Sequence, residues 1–269
     1  MIHFGLNDSI ERGVFRNFGF AELTLLGNAK EKAVFLLAFR SFFVTLHPSK
    51  NKIMAKNSKW QDDYWLLLMQ VYLRRPVGVK PLYSRDMVAL SMELHIAPQV
   101  LFSKMCQLAS IDTPRIERIW ETYGSNPRRL SRAVRLLREM KGFGRADEFY
   151  DGVEVNETFE KDFKPCVKEP VELTPVMLIL ILDLYFRLTP ITMVPETPEV
   201  AELARLIKVK PQVVADVMDV MQHCDPYLNR SDVTLSPLLL PCQQIWQRYG
   251  NSDTTQLAQL ANELKEYYK

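Results

Sequence analysis

The feature that most constrains the fold of this chain is an internal repeat. Residues 86–101 and 199–214 align at an offset of 113 positions, and the proline-glutamine-valine sequence at Pro98 recurs at Pro211. At the same offset Leu67, Tyr72, Arg74, Leu90 and Met105 match Leu180, Tyr185, Arg187, Leu203 and Met218. After an insertion near residues 223–235, Ile119, Trp120, Tyr123 and Gly124 match Ile245, Trp246, Tyr249 and Gly250. So many matches in one order indicate a duplication.

Helix signals recur along both copies. Proline follows a residue that can cap a helix at Thr113-Pro114, Asn126-Pro127, Thr174-Pro175 and Thr197-Pro198. This pair is typical of a helix start, because the first turn has no use for the missing proline N–H. Ser84 is expected to cap a further helix, and no stretch alternates with a period of two, as a strand would. The sequence therefore predicts an all-α protein of two tandem duplicated helical modules, each with five helices.

The predicted modules differ in charge. Module 1, residues 57–141, lies within a basic part of the chain, since residues 54–150 carry a net charge of +6. Module 2, residues 174–268, is acidic, and residues 151–269 carry −7. Two interpretations remain open: the halves attract each other, which needs no partner, or the basic half binds a polyanion. The acidic linker, residues 142–173, contains several aromatic residues, so we expect it to be ordered against the basic half by apolar and charged contacts.

The N-terminal residues 1–53 lack steady helical spacing and are followed by Met54-Ala55-Lys56, which is typical of a bacterial translation start. We interpret them as a mis-assigned leader or a variable N-terminal extension. No run of about 18 apolar residues exists, so no membrane-spanning helix is expected. The four cysteines are widely spaced without a C-x-x-C pair. Reduced thiols in a cytoplasmic protein are therefore expected.

Residues 199–217 have the pattern of two short helices joined by a tight turn. Their apolar residues are Leu203, Ile207, Val209, Val214 and Val217, and the first copy keeps Leu90, Leu94, Ile96 and Leu101. This pattern resembles the helix-turn-helix units of transcriptional regulators and sigma factors over about twenty residues in each copy. The usual turn glycine is replaced by Lys208 in one copy and His95 in the other.

The resemblance implies that the second helix of each unit faces DNA. In the second copy that face would consist of Lys210, Gln212, Ala215, Asp216 and Asp219. Its carboxylates would repel a polyanion. The first copy would present Gln99, Phe102, Ser103 and Cys106. Since this face is neutral and partly apolar, we expect Phe102 to make a protein contact. We expect the motif to contribute to the fold and not to bind DNA.

A basic stripe is predicted on the fifth helix of module 1. Arg128, Arg132 and Arg135 recur at positions i, i+4 and i+7, with Arg129 and Arg138 beside them. Guanidinium groups at this density suit phosphate contacts. The alternative is a solvated face neutralised by Glu117, Glu121, Glu139 and the acidic linker. The opposite, buried face is expected to contain Leu130, Val134, Leu137 and Met140.

The sequence contains few candidate catalytic or metal-binding residues. His223, Cys224 and Cys242 could supply three metal ligands, but their spacing fits no zinc pattern, and we expect them to be buried side chains without a metal. No His, Asp and Ser set suggests nucleophilic catalysis, and no cofactor is predicted. We expect a non-enzymatic binding or adaptor protein that acts on an unknown protein partner. The alternative is a nucleic-acid-binding regulator that uses the arginine stripe. No membrane partner is expected.

Overall fold

The computed structural model describes residues 60–140, 143, 158–169, 171–228 and 236–269. In these ranges the chain forms α-helices and short 3-10 helices, and the one isolated β-bridge joins Val167 and Leu173 without forming a strand. The predicted all-α class is thus confirmed for the described part of the chain. None of the described helices is both long enough and apolar enough to cross a bilayer. The predictions for residues 1–53 lie outside the described residues.

Within the described ranges, five helices precede the linker, one short helix lies within it, and five follow it. The first series is α1 (Tyr64–Leu73), α2 (Arg85–Leu94), α3 (Pro98–Ser110), α4 (Pro114–Tyr123) and α5 (Pro127–Glu139). The linker contains α6 (Thr158–Phe163). The second series is α7 (Pro175–Tyr185), α8 (Pro198–Ile207), α9 (Pro211–Cys224), α10 (Leu239–Tyr249) and α11 (Thr254–Leu264). Two 3-10 turns, Pro190–Thr192 and Lys265–Tyr267, complete the second series.

Most of the predicted helix starts are capped as expected. The side-chain oxygen of Thr113 accepts a hydrogen bond from the Ile116 N–H at 3.3 Å, and that of Thr174 accepts one from Met177 at 3.4 Å. The prediction for Ser84 is wrong in its chemistry. Ser84 precedes α2, but its hydroxyl makes no capping hydrogen bond, and only its backbone carbonyl accepts from the helix.

The chain divides into two compact units. Of the described residues, one unit contains those up to Val79 together with Met105–Ser131, and the other contains those of Lys80–Lys104 together with those of Arg132–Lys269. Both units are therefore discontinuous in sequence. These units are defined by the contacts between residues, and they do not follow the boundaries of the predicted modules. The modules and their duplication therefore stay predictions.

Helix α7 forms the centre of the second unit. Apolar residues occupy every side of it, and a helix of that kind must be buried on all sides. Leu178, Ile179, Leu180 and Leu182 are at most 1% exposed. Helices α6, α8, α9, α10 and α11 all pack against α7. The core of this unit is therefore a layer of helices around one apolar helix.

A tyrosine-tryptophan contact occurs in each unit at positions that the repeat aligns. In the first unit the rings of Tyr72 and Trp120 meet edge to face, with centroids 5.5 Å apart. In the second, Tyr185 and Trp246 meet the same way at 5.6 Å. Such pairs add to the energy of burial, which explains their presence in both series. The duplication itself stays a prediction.

Each of these tryptophans also packs against a glycine four residues later. A Cβ atom on Gly250 would lie 2.7 Å from the Trp246 ring and from its carbonyl oxygen, and one on Gly124 would lie 2.9 Å from the Trp120 ring. Neither glycine has a positive φ. Glycine is required here by the close approach of the ring, and an added methyl group must displace it.

We expect Gly250→Ala to lower the free energy of unfolding by about 1–3 kcal/mol, as overpacking of a buried site does. Urea denaturation followed by circular dichroism measures this. The control is Ser252→Ala, two residues further along in the same turn, which should change stability by less than about 0.5 kcal/mol. Equal stabilities for the two variants would contradict the steric origin of the effect.

Candidate interaction surface on helix α5

Helix α5 is amphipathic, with one buried and one exposed face. It begins at Pro127, where the Asn126 side chain accepts a hydrogen bond from the Arg129 N–H at 3.0 Å. Leu130, Val134 and Leu137 are buried, as predicted. The exposed side chains of the helix carry most of its charge.

All five predicted arginines are exposed, and among the described residues four of them are not engaged by another helix of the second unit. Arg128, Arg129, Arg132 and Arg135 are all exposed. Arg135 forms a solvent-exposed ion pair with Glu139 at 3.7 Å, and the Arg129 guanidinium lies 5.6 Å from the centre of the Tyr123 ring. Within the described residues, Arg128 and Arg132 form no ion pair. Their guanidinium groups are available to a partner.

Arg138, the fifth arginine of the stripe, has a different role. Its Nε and Nη2 atoms donate to the two carboxylate oxygens of Glu93 at 2.5 and 2.8 Å. These hydrogen bonds raise the pKa of Arg138 above its usual value. Arg138 therefore joins α5 to α2, and it is less available to a partner than the other four.

The carboxylates that were expected to neutralise the stripe do so only in part. Glu139 meets Arg135, whereas Glu117 and Glu121 form no ion pair within the described ranges. The contribution of the acidic linker over residues 144–157 lies outside the described residues. The described carboxylates leave most of the arginine charge exposed.

Two apolar side chains extend the exposed face at the end of α5. Leu136 is 54% exposed and Met140 is 60% exposed. The predicted burial of Met140 is wrong. The helix ends at Glu139, so helical spacing no longer holds Met140 on the buried face. Leu136 and Met140 therefore add exposed apolar surface to the part of the chain that carries Arg132 and Arg135.

The faces expected from the helix-turn-helix resemblance are less open. Phe102 on α3 is half-buried, and its role in a protein contact stays a prediction. On α9, Gln212, Asp216 and Asp219 are exposed, but Ala215, which was expected beside them, is only 7% exposed. The expectation for Ala215 is wrong because its side chain packs toward the core. What α9 exposes is mostly acidic.

Helix α6 makes polar contacts whose partners sequence reasoning did not identify. His95 Nδ1 lies 2.8 Å from Glu160 Oε1, and both side chains are mostly buried. Arg248 donates to both carboxylate oxygens of Asp162 at 2.6 and 2.8 Å. These contacts join two positions of α6 to partners from both series of helices.

An aromatic contact reinforces α6. The ring of Phe163 lies 6.3 Å from that of Tyr83 and 5.1 Å from that of Tyr267, measured between centroids. The aromatic content of the linker was a usable signal for order, but the partners of each ring were not predictable. The described part of the linker is held by both apolar and charged contacts.

The thiols of Cys242 and Cys106 are poorly suited to act as nucleophiles. Burial, with a smaller contribution from Cys224 and Cys166, raises the pKa of the Cys242 thiol to about 12. Burial also raises the pKa of Cys106 to about 11. Thiols with such pKa values are protonated near neutral pH and are weak nucleophiles. The part of the chain that the structure describes holds no group of three or more His, Cys, Asp or Glu side chains that could bind a metal ion.

Comparisons of this chain with family models, curated proteins and solved structures found no match. The function must therefore be inferred from the surfaces of the chain itself.

Proposed function

We propose that this chain is a binding or adaptor protein whose partner is another protein, and that the exposed face of α5 is its main contact surface. The observation that carries the proposal is the mixture on that face of exposed arginines with two exposed apolar side chains, Leu136 and Met140. Arginine and methionine are both enriched in protein interfaces. An acidic protein surface with a shallow apolar depression is the complement of this face.

Nucleic acid is the second candidate partner. The exposed guanidinium groups of Arg128 and Arg132, which have no carboxylate partner in the described ranges, support it, since phosphate groups bind such side chains. The two candidates differ in what they require of Leu136 and Met140. A phosphate backbone gains little from these side chains, whereas a protein partner buries them.

Two variants of α5 separate the candidates. One replaces Arg128, Arg132 and Arg135 with serine, and the other replaces Leu136 and Met140 with serine. For a protein partner we expect both variants to weaken capture of the bound protein from native cell extract by about tenfold or more, because arginine and buried apolar anchors dominate interface energies. Nuclease treatment should have no effect on that capture. Quantitative mass spectrometry of the retained proteins measures it.

The matched control replaces Lys168 and Ile191, an exposed cation and an 89% exposed apolar residue away from α5, with serine. It should capture as much as the unmodified protein. Loss of binding in the arginine variant alone, together with loss on nuclease treatment, would establish nucleic acid as the partner. Unchanged capture by both α5 variants would refute the role of this face.

A further inference from the structure

The turn between α2 and α3 and the turn between α8 and α9 have the same backbone geometry. His95 and Lys208 occupy matching positions and both adopt the left-handed conformation, with φ and ψ of 53° and 37° in one and 61° and 39° in the other. The next residue donates back to the helix in both turns, from Ile96 N to Ser91 O at 3.1 Å and from Val209 N to Ala204 O at 3.0 Å. The side chains of His95 and Lys208 therefore leave equivalent points in the same direction.

An acidic side chain from another helix contacts the first of these turns. Glu160 of α6 contacts His95 Nδ1 at 2.8 Å, with exposed fractions of 15% and 21% for the two side chains. Lys164 approaches the other oxygen of Glu160 at 3.5 Å. The chain thus shows how a helical segment places a carboxylate against this kind of turn.

The second turn presents a stronger positive charge and has no such occupant in the described ranges. Lys208 stands where the first turn has His95, and Lys210 and Arg205 lie on either side of it. All three side chains are exposed, and none forms an ion pair with a described residue. An ammonium group at this position can reach an approaching carboxylate as the imidazole of His95 does.

We propose that the α8–α9 turn, defined by Arg205, Lys208 and Lys210, is a docking surface for a short acidic segment of another protein. The segment places a carboxylate against Lys208 in the way that α6 places Glu160 against His95. Charge complementarity also limits the length of the ligand. Asp216 and Asp219 are exposed on the following turns of α9, so a long polyanion such as nucleic acid meets repulsion there. This surface is distinct from the face of α5.

A labelled peptide tests the proposal on the full-length protein. The probe is a fluorescein-labelled peptide that copies residues 153–164, which include Glu154, Glu157, Glu160 and Asp162. Fluorescence anisotropy at low salt measures its binding. We expect Lys208→Gly to raise the Kd at least about fivefold. Glycine adopts the left-handed conformation without side-chain strain, so this variant removes the ammonium and keeps the turn.

Three further measurements show whether binding depends on the contact between Lys208 and a carboxylate. A peptide with glutamine in place of Glu160 should bind more weakly, and the protein variant Lys265→Ser, which removes a cation elsewhere, should bind as the unmodified protein does. The α5 arginine variant should also bind the peptide normally, which separates this surface from the proposed function. Binding that is unaffected by Lys208→Gly, or no binding at low salt, would overturn the proposal.

Discussion

Replacing Leu180 with alanine is expected to lower the free energy of unfolding by about 3–5 kcal/mol, the upper part of the range for buried leucines. Leu180 lies in the middle of α7 and is fully buried. Five other helices pack around α7, so the site has little freedom to collapse into the space left by the missing methyl groups. The free-energy cost of the lost apolar burial and the cost of the remaining cavity therefore add.

Urea denaturation of the two proteins, followed by circular dichroism, measures this difference. The matched control is Leu240→Ala, the same change at a residue that is 64% exposed. The control should alter stability by less than about 0.5 kcal/mol. If the two substitutions had similar effects, α7 would not be the centre of the core.

Replacing Arg248 with alanine is expected to destabilise the protein by about 1–3 kcal/mol. The substitution leaves the Asp162 carboxylate, which is 17% exposed, without its bidentate partner. Hydrogen bonds to a charged group contribute more than neutral ones, and a mostly buried carboxylate without a partner is costly. Arg248 itself is 40% exposed, which keeps the effect below that of a fully buried pair.

A double-mutant cycle with Asp162→Asn isolates this interaction. The two single changes should be non-additive by at least about 0.5 kcal/mol, because they remove the same contact. Lys164→Ala, a change at a 61% exposed cation of the same segment, serves as the control and should be nearly neutral. Additive effects of Arg248→Ala and Asp162→Asn would mean that the ion pair does not hold α6.

Local signals in the sequence were sufficient for most of the helices. Proline after Thr113 and after Thr174 specifies a helix start through chemistry confined to four residues, and both threonines form the expected caps. The position of α7 at the centre was also available in principle. A helix that is apolar on every side can be stable only when other elements surround it.

The contacts of α6 could not be derived in this way. Its contacts with His95 and Arg248 join residues that are 65 and 86 positions apart, and nothing in the spacing of polar residues specifies which carboxylate meets which partner. A six-residue helix also gives too little periodicity to recognise. The position of this helix follows from the packing of the whole unit.

The exposed surface was only partly predictable. The arginine stripe of α5 follows from helical periodicity, and so does its buried face as far as Leu137. Periodicity did not indicate that Arg138 would pair with Glu93, which comes from another helix. It also overestimated the length of the buried row, since Met140 lies past the end of the helix.

The discontinuity of the second unit has a consequence for synthesis on the ribosome. Tyr83 and Val88 belong to the same apolar core as Leu178 on α7, although Leu178 is made 90 residues after Val88. At about 5–20 residues per second, α7 emerges roughly 5–20 seconds after α2. During that interval Tyr83 and Val88 are without their partners from α7, and a chaperone that binds nascent chains would meet these two side chains first.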